Sequence, residues 1–138
     1  MKNLKTPLRY PGGKSRAITK ISEFFPDLSQ YDQFREPFVG GGSVALWVTK
    51  TYPDLLIWVN DLYEPLYNFW TNLQTHGQQM EEMLTELKNE NPDPDKAKEL
   101  FIECKNQIST GDDLDRAVAF YVVNKCSFSG LGLSLIHI

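Results

Sequence analysis

Apolar positions in the first part of the chain switch between two periods. Ile18, Ile21 and Phe25 recur at helical spacing and Pro26 stops the run, which predicts a helix over Lys14 to Phe25. Gln33 to Val39 is short, aromatic and β-branched and runs into glycines, which predicts a strand. Val44 to Val48 begins a helix that Ser43 is placed to cap and that Tyr52-Pro53 ends. Leu55 to Val59 predicts a second strand, closed by Asn60-Asp61, and Glu64 to Leu73 a third helix. Strand, glycine turn, helix, strand with a terminal acid and helix, in that order, open a doubly wound α/β domain.

Beyond this point only the helical period remains. Met80, Met83, Leu84 and Leu87 form one stripe, Leu100, Phe101, Cys104 and Ile108 a second, and Leu114, Val118, Tyr121 and Val122 a third. Asn91-Pro92-Asp93-Pro94 reads as a turn between the first two. Residues 76–125 are therefore expected to be a helical insertion or subdomain, with the methionine and aromatic stripes as packing surfaces.

With 138 residues, 41% of them apolar, the chain is long enough for a compact core. No run approaches the roughly 18 apolar residues of a membrane span, and no apolar block marks a secretory signal, so a cytoplasmic location without membrane contact is expected. Cys104 and Cys126 have neither disulfide nor metal-ligand spacing, and His76 and His137 have no partner at such spacing, so no metal is expected. The net charge of −4 disfavours a nucleic-acid protein taken as a whole, but it is unevenly spread. Lys2, Lys5, Arg9, Lys14, Arg16 and Lys20 all precede the first acid, Glu23, leaving −10 for the rest. A basic start on an acidic body can touch phosphates.

Phe38-Val39-Gly40-Gly41-Gly42-Ser43, between a predicted strand and helix, lets the backbone turn tightly and come close to a ligand. Asp61 follows Gly40 by 21 residues at the end of the next strand, where a carboxylate can accept hydrogen bonds from both hydroxyls of a ribose. Ala45 stands where the dinucleotide fingerprint needs its third glycine, so a ligand without a pyrophosphate fits better; S-adenosylmethionine is one. Pro11-Gly12-Gly13-Lys14-Ser15 is not a phosphate loop, because Leu8 replaces the glycine that such a loop requires. What remains is a glycine turn presenting Lys14, with the Tyr10 ring beside it.

Leu8-Arg9-Tyr10-Pro11-Gly12-Gly13-Lys14, then Glu36-Pro37-Phe38-Val39-Gly40-Gly41-Gly42-Ser43, then Val59-Asn60-Asp61 resemble, in order, the motifs of the Dam-like (D12 class) DNA adenine-N6 methyltransferases. Asn124-Lys125-Cys126-Ser127-Phe128-Ser129-Gly130-Leu131 resembles a later segment of that family near the DNA. The resemblance implies a partial Rossmann-like α/β domain and S-adenosylmethionine as methyl donor. It implies cofactor contacts for Tyr10, Gly12, Gly13, Lys14, Glu36, Pro37, Phe38, Gly40, Gly42, Ser43 and Asp61. Tyr10 would pack on the cofactor, Lys14 reach its methionine end and Asp61 hold the ribose. Arg9, Lys125, Phe128 and Ser129 match positions at the face of double-stranded DNA, where Arg9 can read guanine or clamp phosphate.

The departure from the pattern is equally informative. The family's Asp/Asn-Pro-Pro-Tyr/Phe motif holds the exocyclic amine of a flipped adenine, and no Pro-Pro pair occurs among these 138 residues. Leu133 to Ile138 matches a translation of a transposon-end sequencing adapter. The resulting expectation is a monomeric fragment with a cofactor-binding part at 1–75, a helical insertion and start of the DNA-recognition region at 76–132, an adapter-encoded tail at 133–138, and no turnover. A methyltransferase for another substrate and a non-catalytic nucleic-acid-binding module stay open. The residues do not distinguish a phage, restriction–modification or host origin.

Overall fold

The computed structural model describes residues 4–127. Chain compactness divides it between Leu62 and Tyr63, upstream of the 75/76 boundary suggested above. At that boundary a helix bends without ending.

The first unit alternates helix and strand: α1 (Ile18–Ser22), β1 (Gln33–Glu36), α2 (Ser43–Thr51) and β2 (Leu56–Val59), with a short 3-10 turn at Leu28–Gln30. β1 and β2 pair in parallel, from Gln33 opposite Leu56 to Glu36 opposite Val59. The connection between them is α2, as parallel pairing requires a crossover. An α/β order is thus present, with a sheet of two strands.

Two expectations need correction here. The first helix is five residues long instead of the twelve expected over Lys14 to Phe25, because both of its ends wind more tightly. Lys14 C=O accepts from both Ala17 and Ile18 N–H, and Phe24 and Phe25 N–H donate three residues back to Ile21 and Ser22 C=O. β1 stops at Glu36 instead of Val39, since Pro37 has no N–H to extend a ladder. α2 packs on β2 and α1 on α2. Val48 and Ala45 are buried, and Phe25 meets the edge of Trp47 at a centroid distance of 5.8 Å.

The second unit is built of three helices among the described residues: α3 (Glu64–Glu90), α4 (Pro94–Gln107) and α5 (Asp113–Cys126). The third helix, expected to end at Leu73, runs for 27 residues and kinks at His76. Asn91 ends α3 and Asp93 caps α4, its side chain accepting from Lys96 N–H, so the Asn-Pro-Asp-Pro turn forms as expected. Asp112 caps α5 in the same way through Asp115 N–H. Phe101, Cys104, Ala119, Val122 and Val123 make a buried cluster, against which Leu84, Leu87, Leu100, Ile108 and Cys126 pack. Phe69 is 1% exposed and stacks on Tyr121. Arg116 pairs with Glu64 and donates to Ile108 C=O, tying α5 to α3 and to the end of α4.

Candidate functional site

Pairing of the two strands continues past their ends. Asn60 N–H donates to Glu36 C=O at 2.9 Å, and Val39 N–H donates to Asn60 C=O at 2.8 Å. The segment entering the glycine loop is thereby held beside the segment leaving β2. Asp61, the next residue, accepts the Gly40 N–H on Oδ2 at 2.9 Å. The 21-residue spacing read in the sequence therefore closes into direct contact between loop and carboxylate.

The loop needs its glycines for different reasons. Gly40 and Gly42 lie in the left-handed region at φ 49° and 71°, where side chains are strained. A Cβ on Gly40 would meet the Tyr10 ring at 2.9 Å, and one on Gly41 would meet Tyr10 Cβ at 2.9 Å. Tyr10 thus lies on the glycine loop and remains 36% exposed. Gly41 was not among the expected site residues, although its place inside the triplet was the available signal.

α2 starts differently from the expectation. Gly42 is the cap residue and Ser43 the first helical residue, its hydroxyl 2.8 Å from that of Ser15. Ser43 cannot cap because the left-handed turn at Gly42 already puts it inside the helix. Glu36 supplies the missing acceptor from the end of β1, taking the Ala45 N–H on Oε2 at 3.0 Å. Burial pushes the Glu36 carboxyl above the ordinary glutamate range, and the Ala45 bond opposes that only in part.

The remaining expected residues fall into three groups. Gly12 and Gly13 form the turn below Tyr10, with Gly13 N–H donating to Tyr10 C=O, and the Lys14 ammonium donates to Gly12 C=O within that turn. Pro37 takes an Asn60 side-chain hydrogen bond, while Phe38 stands 80% exposed at the mouth of the loop. Leu62, directly after Asp61, is 91% exposed and was missed; an apolar residue following the strand-end acid was its only signal. Arg9 is exposed on the first unit. Lys125 lies 5.3 Å from the Tyr121 ring centroid on its own helix, and Phe128, Ser129 and the 133–138 tail lie outside the described residues.

Polar and apolar functions are thus laid out together: a carboxylate against a loop of glycine amides, an aromatic ring on that loop, and exposed apolar side chains on both flanking segments. Such a surface suits a ligand with a hydroxylated part and a flat apolar part. Among the described residues no group of three or more His, Cys, Asp or Glu is placed to hold a metal, and no helix is long and apolar enough to cross a membrane.

A family model described as D12 class N6 adenine-specific DNA methyltransferase matches residues 10–134. The chain is 26% identical over 137 residues to the type II methyltransferase M.MjaIII of Methanocaldococcus jannaschii, covering 93% of this chain and 47% of that protein. It is 25% identical over 134 residues to the type II methyltransferase M1.LlaDCHI of Lactococcus lactis subsp. cremoris, covering 94% and 43%. It is also 30% identical over 125 residues to the DNA N-6-adenine-methyltransferase of Escherichia phage P1, covering 89% and 15%. The chain therefore spans less than half the length of these relatives.

Proposed function

The chain belongs to the D12 class N6 adenine-specific DNA methyltransferase family, and on that premise we propose that its first unit is the S-adenosylmethionine site of an enzyme that methylates adenine N6 in duplex DNA. The observation that carries this reading is the Gly40 to Asp61 contact at 2.9 Å. It sets a carboxylate at the lip of a glycine loop, where ribose hydroxyls can donate to it. The sheet is read as the opening of a Rossmann-like domain, of which β1, α2 and β2 are the first strand, helix and strand.

Each residue has a task in this reading. Gly40, Gly41 and Gly42 keep the loop free of side chains so that a ligand can approach its backbone, and Glu36 fixes where α2 begins. Ser43 adds the first amide of that helix. Asp61 orients the ribose, while Phe38 and Leu62 offer apolar surface to the adenine ring. Tyr10 braces the loop from below on the turn made by Pro11, Gly12 and Gly13. Lys14 leaves the Gly12 carbonyl to meet the carboxylate end of the methionine. When bound, S-adenosylmethionine supplies an electrophilic sulfonium methyl group.

The acceptor amine has its lone pair delocalised into the adenine ring, so positioning alone gives a slow reaction. Polar groups must hold the amine after the base is flipped. The Asp/Asn-Pro-Pro-Tyr/Phe motif that does so in the family is not among these residues, so the 138 residues by themselves are proposed to hold donor without turning over. Arg9 and Lys125 are proposed to face the DNA, and the reaction is proposed to need no metal and to take place in the cytoplasm.

The decisive assay is transfer of a tritiated methyl group to unmethylated duplex DNA by the full-length protein, followed by nucleoside analysis. N6-methyladenine is the expected product. Methylated cytosine, or methylation of a non-nucleic-acid acceptor only, would overturn the assignment.

A further inference from the structure

A depression of about 410 Å³ opens in the first unit between the N-terminal segment and α2, apart from the Asp61 carboxylate and the Tyr10 ring. Its volume is in the range of small-molecule sites, roughly 300–1,000 Å³. Two lysines far apart in sequence line it, Lys5 from the N-terminal segment and Lys50 from the last turn of α2. Thr6, Ser15 and Ser43 add three hydroxyls, and Trp47 belongs to an apolar wall. No carboxylate lines it among the described residues.

The hydroxyl chemistry favours an acceptor-rich guest. Ser15 and Ser43 share one hydrogen bond at 2.8 Å, so whichever hydroxyl accepts still has its own hydrogen to donate. Thr6 accepts from Leu8 N–H at 3.2 Å and likewise keeps a hydrogen to donate. The N-terminal amides of α2 add little, because Glu36 already lies against them through Ala45. The exposed cations Arg9, Arg16 and Lys20 extend from the same N-terminal stretch, which contains no acid before Glu23.

We propose that this depression docks a phosphodiester of the DNA backbone, with Lys5 and Lys50 as the cationic clamp, the Thr6 hydroxyl and the accepting hydroxyl of the Ser15–Ser43 pair as donors, and Trp47 beside the sugar. The proposal rests on the DNA-methyltransferase reading and adds to it a backbone contact that fixes register without reading sequence. An extended strand, unlike a small free anion, would use both the polar floor and the apolar wall.

The test measures duplex binding by the full-length protein across a salt series, for the parent, Lys5→Gln/Lys50→Gln and Lys98→Gln, a control on α4. The double variant is expected to lower the slope of log affinity against log salt by roughly one to two, with weaker binding to every sequence tried. S-adenosylmethionine affinity, followed by calorimetry, is expected to stay unchanged, which also reports an intact fold. An unchanged slope in a variant that still binds the cofactor would overturn the phosphate site alone. A parent that does not bind duplex would sink the DNA reading and this proposal with it. Displacement of duplex by inorganic phosphate at constant ionic strength would mark a free-anion site and also overturn the proposal.

Discussion

The two units of this chain solve opposite problems with similar raw material. From Tyr63 onward, three helices bury Leu66, Phe69, Met80, Phe101 and Cys104 almost completely, and among the described residues Tyr63, Tyr67 and Ile102 are the exposed large apolar ones. Up to Leu62, no aromatic is fully buried, and Phe24, Phe38, Leu56, Trp58 and Leu62 stand well exposed. The charge differs as well: eight basic against six acidic residues in the first unit, six against twelve in the second. The helical unit is organised around packing. The first unit devotes its backbone to a glycine loop and a strand-end acid, and Arg35, Leu56 and Trp58 stand exposed on one face of its two parallel strands, whereas such sheets are ordinarily buried on both faces.

The sharpest way to break that comparison is to empty the helical core. Phe69→Ala removes a ring packed against Trp70, Phe120 and Tyr121. It should destabilise the helices by about 3–5 kcal/mol. Urea unfolding followed by helical circular dichroism, together with amide exchange across residues 63–126, reads the effect. A loss below about 1 kcal/mol would show that this core is looser than its burial implies.

Asp61→Ala addresses the other unit. Removing the acceptor of Gly40 N–H should weaken S-adenosylmethionine binding by about 1.5–3 kcal/mol, the scale of hydrogen bonds to a charged group. Asp61→Asn keeps an oxygen for Gly40 and should fall between parent and Ala. Calorimetry showing parent-like affinity in folded Asp61→Ala would remove the residue from the site. A fall in stability as large as that of Phe69→Ala would erase the contrast between a binding unit and a packing unit.

What the sequence disclosed follows from the range of the forces involved. The strand, loop, helix and strand order, the Gly40 and Asp61 pairing and the helical stripes of the second unit are periodic or short-range signals, and all appear in the structure. The start of α2 was misread because Ser43 has the right chemistry for a cap, while the left-handed conformation of Gly42 decides the position. The length of α1 was misread because spacing does not separate α winding from the tighter bonds at Lys14 and Phe25. The bond from Glu36 to Ala45 and the convergence of Lys5 with Lys50 join residues through folding alone, and no pattern along the chain records them.

A smaller effect tests how the helical unit starts two of its helices. Asp112→Ala removes the side-chain acceptor of Asp115 N–H at the head of α5 and should cost about 1 kcal/mol, seen as a lower melting temperature. Asp93→Ala at α4 should behave alike. Should neither variant shift the melting temperature, helix packing would be holding these ends without their caps.

The smallest expected effect concerns Glu36, which stands in for a cap at α2. Burial is the larger influence on its carboxyl and raises the folded pKa above the usual glutamate value of about 4.3, while the Ala45 N–H pulls it back in part. Between the unfolded and the raised folded value, the folded chain holds this proton more firmly than the unfolded chain. Stability from this group therefore falls as pH rises through that window and levels off above the folded pKa. Glu36→Gln retains a carbonyl oxygen for Ala45 N–H and has nothing to titrate. The variant should gain on the parent as pH rises from about 3.5 to neutrality, with the gap constant beyond the window. Unfolding curves for both proteins along that pH series provide the measurement. A parent that gains on the variant over the same range would mean that the ionised carboxylate anchors α2 more strongly than its burial costs, and the first unit would then rest on a charge where the second rests on its core.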